Sequence, residues 1–402
     1  MDFKKTIVLI LAGGRGLRIK KITNRIPKPL IRFNNKPILS LIINNISKYQ
    51  FKKIIILAGY KGKQIYRKYH NKYYNFNKVE CLIEKKRLGT FGAIINVKKK
   101  LTKSFVVING DTFFNGNLEK FLKFNLTKNK IVMMITKNHH YKENKKLTNL
   151  NINKKNEIQI SNKNKNKFIN SGTYLMSKEI LKKELTNKSS LETEIIPDLI
   201  KKKSAFGIIE NKKLIDIGTN NNLLFAKNNI SREIKKPAIF LDRDGVINYD
   251  YGYVHKYNNF KFKKHVISAL KFLSTKDIYI FIVTNQSGIA RGLFKKKDFY
   301  KLHIKVKDFL IKKKIYIHDV KFSPFHIDGI IKKYRKISGY RKPGNLMIEE
   351  LFKNWNIIRK KSFMIGDSLS DRTAATKSKL YFEFVKPNLY EQVKKICKGL
   401  KI

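Results

Sequence analysis

The sequence predicts an α/β protein built as two tandem domains, and three observations carry that prediction. Short apolar runs recur at Thr6–Ala12, Lys53–Ala58, Phe105–Asn109 and Ile131–Thr136, each separated by enough chain for a crossover helix, which is the spacing of a layered sheet. The rhythm restarts at Pro237–Leu241 and continues near Ile278–Thr284, His318–Phe322 and Ser362–Ile365. The 402 residues leave room for about two or three cores at roughly 100–200 residues each.

Composition narrows the class. Hydrophobic residues at 42% and aromatics at 12% supply enough apolar surface to fold, and no apolar run approaches the ~20 residues that cross a bilayer. Two cysteines, Cys81 and Cys397, and the lack of a cleavable leader pattern argue for a soluble protein of the reducing cytoplasm, with no membrane partner. The formal charge of +59 would ordinarily point to nucleic acid. Here the lysines are mixed with asparagine and isoleucine throughout, as in Asn144–Lys155 and Asn162–Lys167, whereas a binding stripe is local. The expected partners are therefore small phosphorylated substrates, which such a field attracts.

The first run, Thr6–Ala12, feeds Gly13-Gly14-Arg15-Gly16 and Arg18: a buried strand entering a glycine-rich turn brings backbone N–H groups to a phosphate. The third glycine of a dinucleotide fingerprint is absent, and no Gly-Lys-Ser/Thr follows to make a P-loop. The Lys/Asn-rich stretch Tyr141–Lys167 reads as a mobile loop or an irregular piece of sheet. Asn220–Lys236 turns polar and asparagine-rich with a helical remnant, which places the domain boundary there.

Leu11–Arg18 followed by Pro27-Lys28-Pro29-Leu30 resembles the signature of the sugar-1-phosphate nucleotidyltransferases. Leu88-Gly89-Thr90, Asn109-Gly110-Asp111-Thr112, Asn170-Ser171-Gly172-Thr173-Tyr174 and Asp216-Ile217-Gly218-Thr219 recur in the family's order. Within the family, Gly59–Gly62 and Asn109–Phe114 are most similar to the heptose-1-phosphate guanylyltransferases, whose resemblance favours the α-anomer of the sugar. It implies that Gly13, Gly14 and Gly16 wrap the phosphates with Arg18 and Lys28 as catalytic cations. Asp111 and Asp216 would hold Mg²⁺, and Gly89, Thr90, Lys163, Asn170 and Gly172 would bind nucleotide and sugar phosphate. In-line attack on the α-phosphorus needs positioning and charge neutralisation more than acid–base groups. Leu17, Arg87, Phe91 and Asn162 depart from the family pattern, the last removing a carboxylate beside Lys163. Glu84 stands where related enzymes contact the base; a carboxylate only accepts, which suits guanine N1–H and N2–H₂ and opposes the N1 acceptor of adenine.

The second half opens with Asp242-Arg243-Asp244-Gly245 at a strand end. Val283–Gly288, Arg341-Lys342-Pro343 and Ile365–Asp371 follow. This set resembles the haloacid dehalogenase superfamily, and the longer runs Tyr251–His255 and Asn285–Gly292 are similar to heptose bisphosphate phosphatases, with histidinol-phosphate phosphatases close by. The resemblance implies Asp242 as nucleophile and Asp244 as acid and base. Mg²⁺ would lie on Asp242, Asp367 and the Asp244 carbonyl. Thr284, Asn285, Arg341 and Lys342 would contact substrate, with Asp371 supporting Lys342 or the metal shell and Arg291 clamping a distal phosphate. Where many such phosphatases bind zinc, the chain has Ser323, Phe325, Ser338 and Tyr340, so zinc is not expected; packing by Phe322, Phe325 and Tyr334 must hold the Phe322–Tyr340 loop instead.

Together these resemblances imply a Rossmann-like nucleotidyltransferase sheet over residues 1–228 followed by a Rossmannoid haloacid dehalogenase-like sheet over 237–402. The implied activity is bifunctional: a Mg²⁺-dependent phosphatase removes the 7-phosphate of heptose 1,7-bisphosphate, and a guanylyltransferase joins GMP from GTP to heptose 1-phosphate. The same two chemistries on another sugar with dTTP or UTP, or a histidinol-phosphate-type second half, are the alternatives.

Overall fold

The computed structural model describes residues 2–124, 126, 130–139, 149–160, 168–182 and 189–402. The chain divides into two units, one of Met1–Ile46 and Phe51–Glu233, the other of Ser47–Gln50 and Ile234–Ile402.

In the first unit, seven strands and the short Tyr73–Tyr74 form one sheet. They are β1 (Ile7–Ala12), β2 (Lys53–Ala58), β3 (Asn77–Ile83), β4 (Ser104–Asn109), β5 (Ile131–Thr136), β6 (Ile169–Ser177) and β7 (Ala205–Ile209). Their order across the sheet is β7-β5-β6-β4-β1-β2-β3, with Tyr73–Tyr74 at the edge. All neighbours are parallel except β6, which runs against β4 and β5, and the edge pair Tyr73–Tyr74 with β3. The continuous apolar strands follow from burial on both faces: Val8, Leu9 and Ile10 are all fully buried. β1 lies between β2 and β4, so its C-terminal end opens where the connections diverge, the place open α/β sheets keep for ligands.

A separate antiparallel pair, Thr112–Phe114 with Leu214–Asp216, aligns Asp216 with Thr112, and so brings two acidic segments together across about a hundred residues of sequence. Part of the Lys/Asn-rich stretch is a hairpin, Leu150–Ile152 against Ile158–Ile160. Asn153 makes its turn by accepting from the Lys155 and Glu157 N–H groups, both at 2.9 Å, and Asn156 adopts φ +60°. The rest of that stretch, 140–148 and 161–167, lies outside the described residues.

The division between the two units falls inside Asn220–Lys236, where the sequence suggested a polar stretch with a helical remnant. Asn220–Ile234 is a 15-residue helix that buries Leu223, Ala226, Ile230 and Ile234. Those four positions share one helix face, and the intervening Lys227, Asn228 and Asn229 masked the stripe.

In the second unit, β8 (Ala238–Leu241), β9 (Tyr279–Asn285), β10 (Asp319–Ser323), β11 (Phe363–Gly366) and β12 (Tyr381–Phe384) form an all-parallel sheet in the order β10-β9-β8-β11-β12. Two apolar clusters flank it. One gathers Ile239, Leu241, Leu270 and Val393; the other gathers Phe240, Phe281, Met347 and Trp355. The alternation of β8 residues between them fixes its register. Asp242 is thereby delivered at the C-terminal end of the central strand, with β9 and β11 ending on either side. No helix among the described residues is long and apolar enough to cross a membrane.

Leu9 is fully buried in the middle of the first sheet. Leu9→Ala is expected to cost about 2–5 kcal/mol, read as a lower urea midpoint for the first unit with the second unit's transition unchanged.

Candidate active sites

The first site is built on a buried cation. Lys28, on the 3₁₀ turn Lys28–Leu30, places its ammonium 2.5 Å from Asp111 and 3.9 Å from Asp216. Burial alone would lower the Lys28 pKa, but Asp111 and Asp216 more than offset it and raise it. Burial pushes the Asp111 carboxyl up, and Lys28, by charge and hydrogen bond, holds it below the usual carboxylate range. Asp216 also accepts from Asn222 Nδ2 at 3.0 Å. Arg18 reaches the same corner, its Nη2 3.4 Å from where a Cβ on Gly218 would stand. Gly16 takes φ +66° beside Thr23 and Lys28, while Gly14 has open space around it.

Glu84 enters from the end of β3. Its Oε1 lies 2.8 Å from the position of a Gly13 Cβ, and Oε2 lies 3.2 Å from that of Gly59. Both glycines are therefore needed for the carboxylate to lie against the phosphate loop, and burial raises its pKa.

Opposite, Asn170 accepts from the Gly172 N–H at 3.0 Å and donates to the Tyr174 hydroxyl at 2.5 Å. Glu192 Oε1 accepts from Tyr174 at 3.1 Å and from Asn109 at 2.9 Å. Gly172, at φ +73°, gives Asn109 its space. Glu192 follows no motif and sequence reasoning missed it; it lies on a π-helical turn, Leu191–Ile195, a feature frequent at functional sites. Gly89 opens the helix Gly89–Asn96, but the Thr90 hydroxyl accepts from the Leu191 N–H at 2.8 Å, so it holds this segment. Lys163 lies outside the described residues.

The second site also centres on a buried ammonium. Lys342 Nζ pairs with Asp242 at 2.7 Å and Asp371 at 2.5 Å, and donates to the Val283 carbonyl at 3.0 Å. Asn285 was expected to contact substrate. Its amide accepts from the Lys342 N–H at 3.0 Å and donates to the Lys342 carbonyl at 3.1 Å, which fixes where that lysine starts. Asp371 is fully buried; it accepts from Ser368 Oγ at 2.7 Å and the Ser368 N–H at 3.2 Å, closing a capping box at Leu369–Lys377. Thr284 is buried and accepts from Gln286 Nε2 at 2.9 Å. That same amide donates to Asp244 at 2.9 Å, a link that spacing alone did not indicate.

Arg291 Nη2 is 3.3 Å from His326 Nε2 and 3.5 Å from Asp328. Arg341 adds positive charge to this cluster: burial, then Arg291, lower its pKa. The Phe322–Tyr340 loop is held by side chains. Phe322 packs on Phe299 at 4.0 Å between centroids and Phe325 on Tyr334 at 6.2 Å; the Tyr340 hydroxyl bonds Glu350, which pairs with Lys321 at 2.7 Å. Cys81 and Cys397 are both buried elsewhere, and burial pushes the Cys81 thiol up to about 12.

Asp242, Asp367 and Asp371 each offer an oxygen within 4.8 Å of the others, three carboxylates against the single ammonium of Lys342. Burial is the main cause that pushes Asp242 up to about 7, with Asp371 adding to it against Lys342, and burial and Asp371 also raise Asp367. This excess of hard oxygen donors fits a divalent cation such as Mg²⁺. With Asp371 already engaged, Asp242 and Asp367 are the side chains that would hold it. Gly245, at φ +79°, leaves Asp367 its place: an added Cβ would stand 1.8 Å from Asp367 Oδ2.

Gly245→Ala is accordingly expected to weaken Mg²⁺ binding at least about tenfold by calorimetry, the cost of displacing one carboxylate ligand. The raised Asp242 pKa also sets a pH dependence in the absence of divalent cation. Between the unfolded value of 3.8 and about 7 the folded state holds the proton and the unfolded state does not, so this group's contribution to stability falls as pH rises through that window. Asp242→Asn is expected to match wild type near pH 4 and to exceed it increasingly towards pH 7 in denaturant titrations. Curves that stay parallel would refute this.

The nucleotidyl transferase family matches residues 7–233, and the polynucleotide kinase 3 phosphatase family matches residues 240–386. D-glycero-beta-D-manno-heptose-1,7-bisphosphate 7-phosphatase of Rhodopseudomonas palustris is 43% identical over 141 residues, 35% of this chain and 78% of that protein. The protein of the same name from Escherichia coli K12 is 39% identical over 139 residues, 35% of this chain and 73% of its own length. The crystal structure of HddC from Yersinia pseudotuberculosis is 27% identical with a TM-score of 0.47, covering 56% of this chain and 99% of HddC. With a family match over more than half its length and a phosphatase relative covered along 78% of that relative, the chain belongs to the nucleotidyl transferase family and carries a phosphatase half of the 7-phosphatase family behind it, making it an enzyme of both kinds.

Proposed function

We propose that the second half removes the 7-phosphate of a heptose 1,7-bisphosphate and the first half transfers GMP from GTP to the resulting heptose 1-phosphate, giving GDP-heptose and pyrophosphate. The observation that carries the reading is the pairing, in one chain, of a nucleotidyl transferase half with a half 43% identical to a heptose bisphosphate 7-phosphatase. The product of one reaction is the substrate of the other.

In the phosphatase half, an Asp242 carboxylate oxygen attacks phosphorus and the bond to the sugar oxygen breaks. Asp244 donates a proton to that oxygen, leaving an aspartyl-phosphate. Asp244 then takes a proton from water as the water oxygen attacks phosphorus, and phosphate leaves with Asp242 restored. Lys342 and Thr284 bind the transferring phosphoryl oxygens, and the Arg291–Arg341–His326 cluster takes the distal phosphate. Asp242, Asp367 and the Asp244 carbonyl would hold Mg²⁺, whose charge would let a carboxylate approach a phosphate dianion.

In the transferase half, Arg18 and Lys28 neutralise the triphosphate over Gly13–Gly16. The sugar phosphate oxygen attacks the α-phosphorus and pyrophosphate leaves. Asp111 and Asp216, which here meet the Lys28 ammonium, would hold Mg²⁺ there, and its charge would stabilise the departing pyrophosphate. Glu84, pressed against Gly13 and Gly59, faces the loop with acceptors only, the arrangement that guanine matches. Sequence resemblance favoured the α-anomer, whereas the phosphatase relatives are named for the β-anomer; both anomers belong in the assay.

Incubation with Mg²⁺, each heptose bisphosphate anomer and each nucleoside triphosphate in turn, followed by mass spectrometry, should give GDP-heptose, phosphate and pyrophosphate with GTP. Preferential turnover of dTTP or UTP, or of histidinol phosphate, would establish an alternative instead. Glu84→Ala is expected to lower kcat/KM for GTP roughly 10- to 100-fold, the loss of a charged acceptor for a donor pair, without changing phosphate release from the bisphosphate. Elemental analysis should find no stoichiometric zinc.

A further inference from the structure

Asp244 lies in a clamp of donors. Arg243 Nε reaches both of its oxygens at 3.1 Å and Nη2 both at 2.8 Å. Asn248 Nδ2 donates to it at 3.0 Å and Gln286 Nε2 at 2.9 Å. The unusual member is Arg243, whose side chain has no solvent exposure at all. A guanidinium that deep is held from behind: Nη2 also donates to the Val254 carbonyl at 2.7 Å, and Nη1 lies 3.5 Å from His303 Nε2. His303 is itself buried against Phe299, ring centroids 4.3 Å apart. Burial, then Arg243, holds its pKa well below the usual histidine range; a guanidinium only donates, so this contact requires the tautomer with an unprotonated Nε2. Removing an arginine from water is expensive. A stabilising surface pair would not require it; a planar fork that fixes the direction of a carboxylate does.

We propose that Arg243, propped by His303 and the Val254 carbonyl, is a positioning residue that aims the Asp244 carboxyl group at the leaving sugar oxygen. The proposal rests on the phosphatase reading above. The Arg243 side chain, with no solvent exposure, acts through Asp244. Its effect therefore falls on the step in which the phosphorus–oxygen bond to the sugar breaks and the proton from Asp244 goes to that oxygen. An aryl phosphate departs as a stable phenolate and needs no such proton.

The test measures kcat/KM of the full chain for heptose 1,7-bisphosphate and for p-nitrophenyl phosphate. This parameter reports events up to leaving-group departure, so the later hydrolysis of the aspartyl-phosphate, common to both, does not enter. Asp244→Asn sets the scale: the sugar substrate should lose about 10²–10⁴-fold, the usual contribution of a positioned acid, and the aryl phosphate should change little. Arg243→Met should reproduce most of that selective loss, and Arg243→Lys part of it. Neither should add a selective loss in the Asp244→Asn background. His303→Leu leaves the charge pair intact and should give a smaller loss in the same sense; it decides the matter if Arg243→Met does not fold. An equal fall for both substrates in the Arg243 and His303 variants, with Asp244→Asn behaving as stated, would overturn the positioning role. If Asp244→Asn shows no selectivity, or Asp242→Asn retains activity, the phosphatase reading itself is what fails.

Discussion

Each half of the chain is organised around one buried ammonium shared between two carboxylates. Lys342 stands between Asp242 and Asp371, and Lys28 between Asp111 and Asp216. A lysine taken out of water costs several kcal/mol unless its charge is met at close range, and that requirement propagates outward. To meet it, strand ends that are distant in sequence must converge. In the first unit the antiparallel pairing of Thr112–Phe114 with Leu214–Asp216 does this. In the second, the parallel order β9-β8-β11 does.

The two clusters differ in their remaining charge. Lys28 leaves Asp111 well stabilised, and both partners are shifted towards their ionised forms. In the second half one ammonium faces three carboxylates, and Asp242 is raised instead. In the proposed reaction Asp242 must be ionised, and a carboxylate buried beside other acids calls for added positive charge, a physical reason for a divalent cation there. Backbone economy serves the same end. Gly245 and Gly13 lie where any side chain would displace Asp367 or Glu84, so their absence of a Cβ is a requirement of the carboxylate next door.

Much of this was legible in the sequence because strand ends in α/β sheets are marked by composition. Apolar runs that stop abruptly at Asp242, Asp367 or Gly13 announce both the element and the exit of the chain. Where the mark is diluted, reading fails. The helix Asn220–Ile234 hides a sound apolar face behind asparagines. Glu192 enters its site from a π-helical turn whose register no period-based reading anticipates. Asn285 was assigned to substrate by position, and its amide meets the Lys342 backbone through one donor and one acceptor: spacing places a side chain near a site and does not say which protein partners it meets there. The double contact of Gln286 with Thr284 and Asp244 is likewise a property of three dimensions.

The Phe322–Tyr340 loop, whose Ser323, Phe325, Ser338 and Tyr340 offer no thiolate, is held by side-chain contacts. A thiolate cluster fixes a loop through a few strong bonds made together. Here the same stretch is fixed by several weak ones: Phe322 on Phe299, Phe325 on Tyr334, and Tyr340 through Glu350 to Lys321. Each is worth on the order of 1 kcal/mol or less, so the loop's order depends on their acting at once and on the β10 end from which it departs. Ser323, fully buried at that end, receives the Gln286 N–H on its carbonyl at 2.7 Å. The loop is thereby tied to the same residue that contacts Thr284 and Asp244. His326, whose N–H donates to the Tyr334 carbonyl within that loop at 3.2 Å, stands 3.3 Å from Arg291 Nη2.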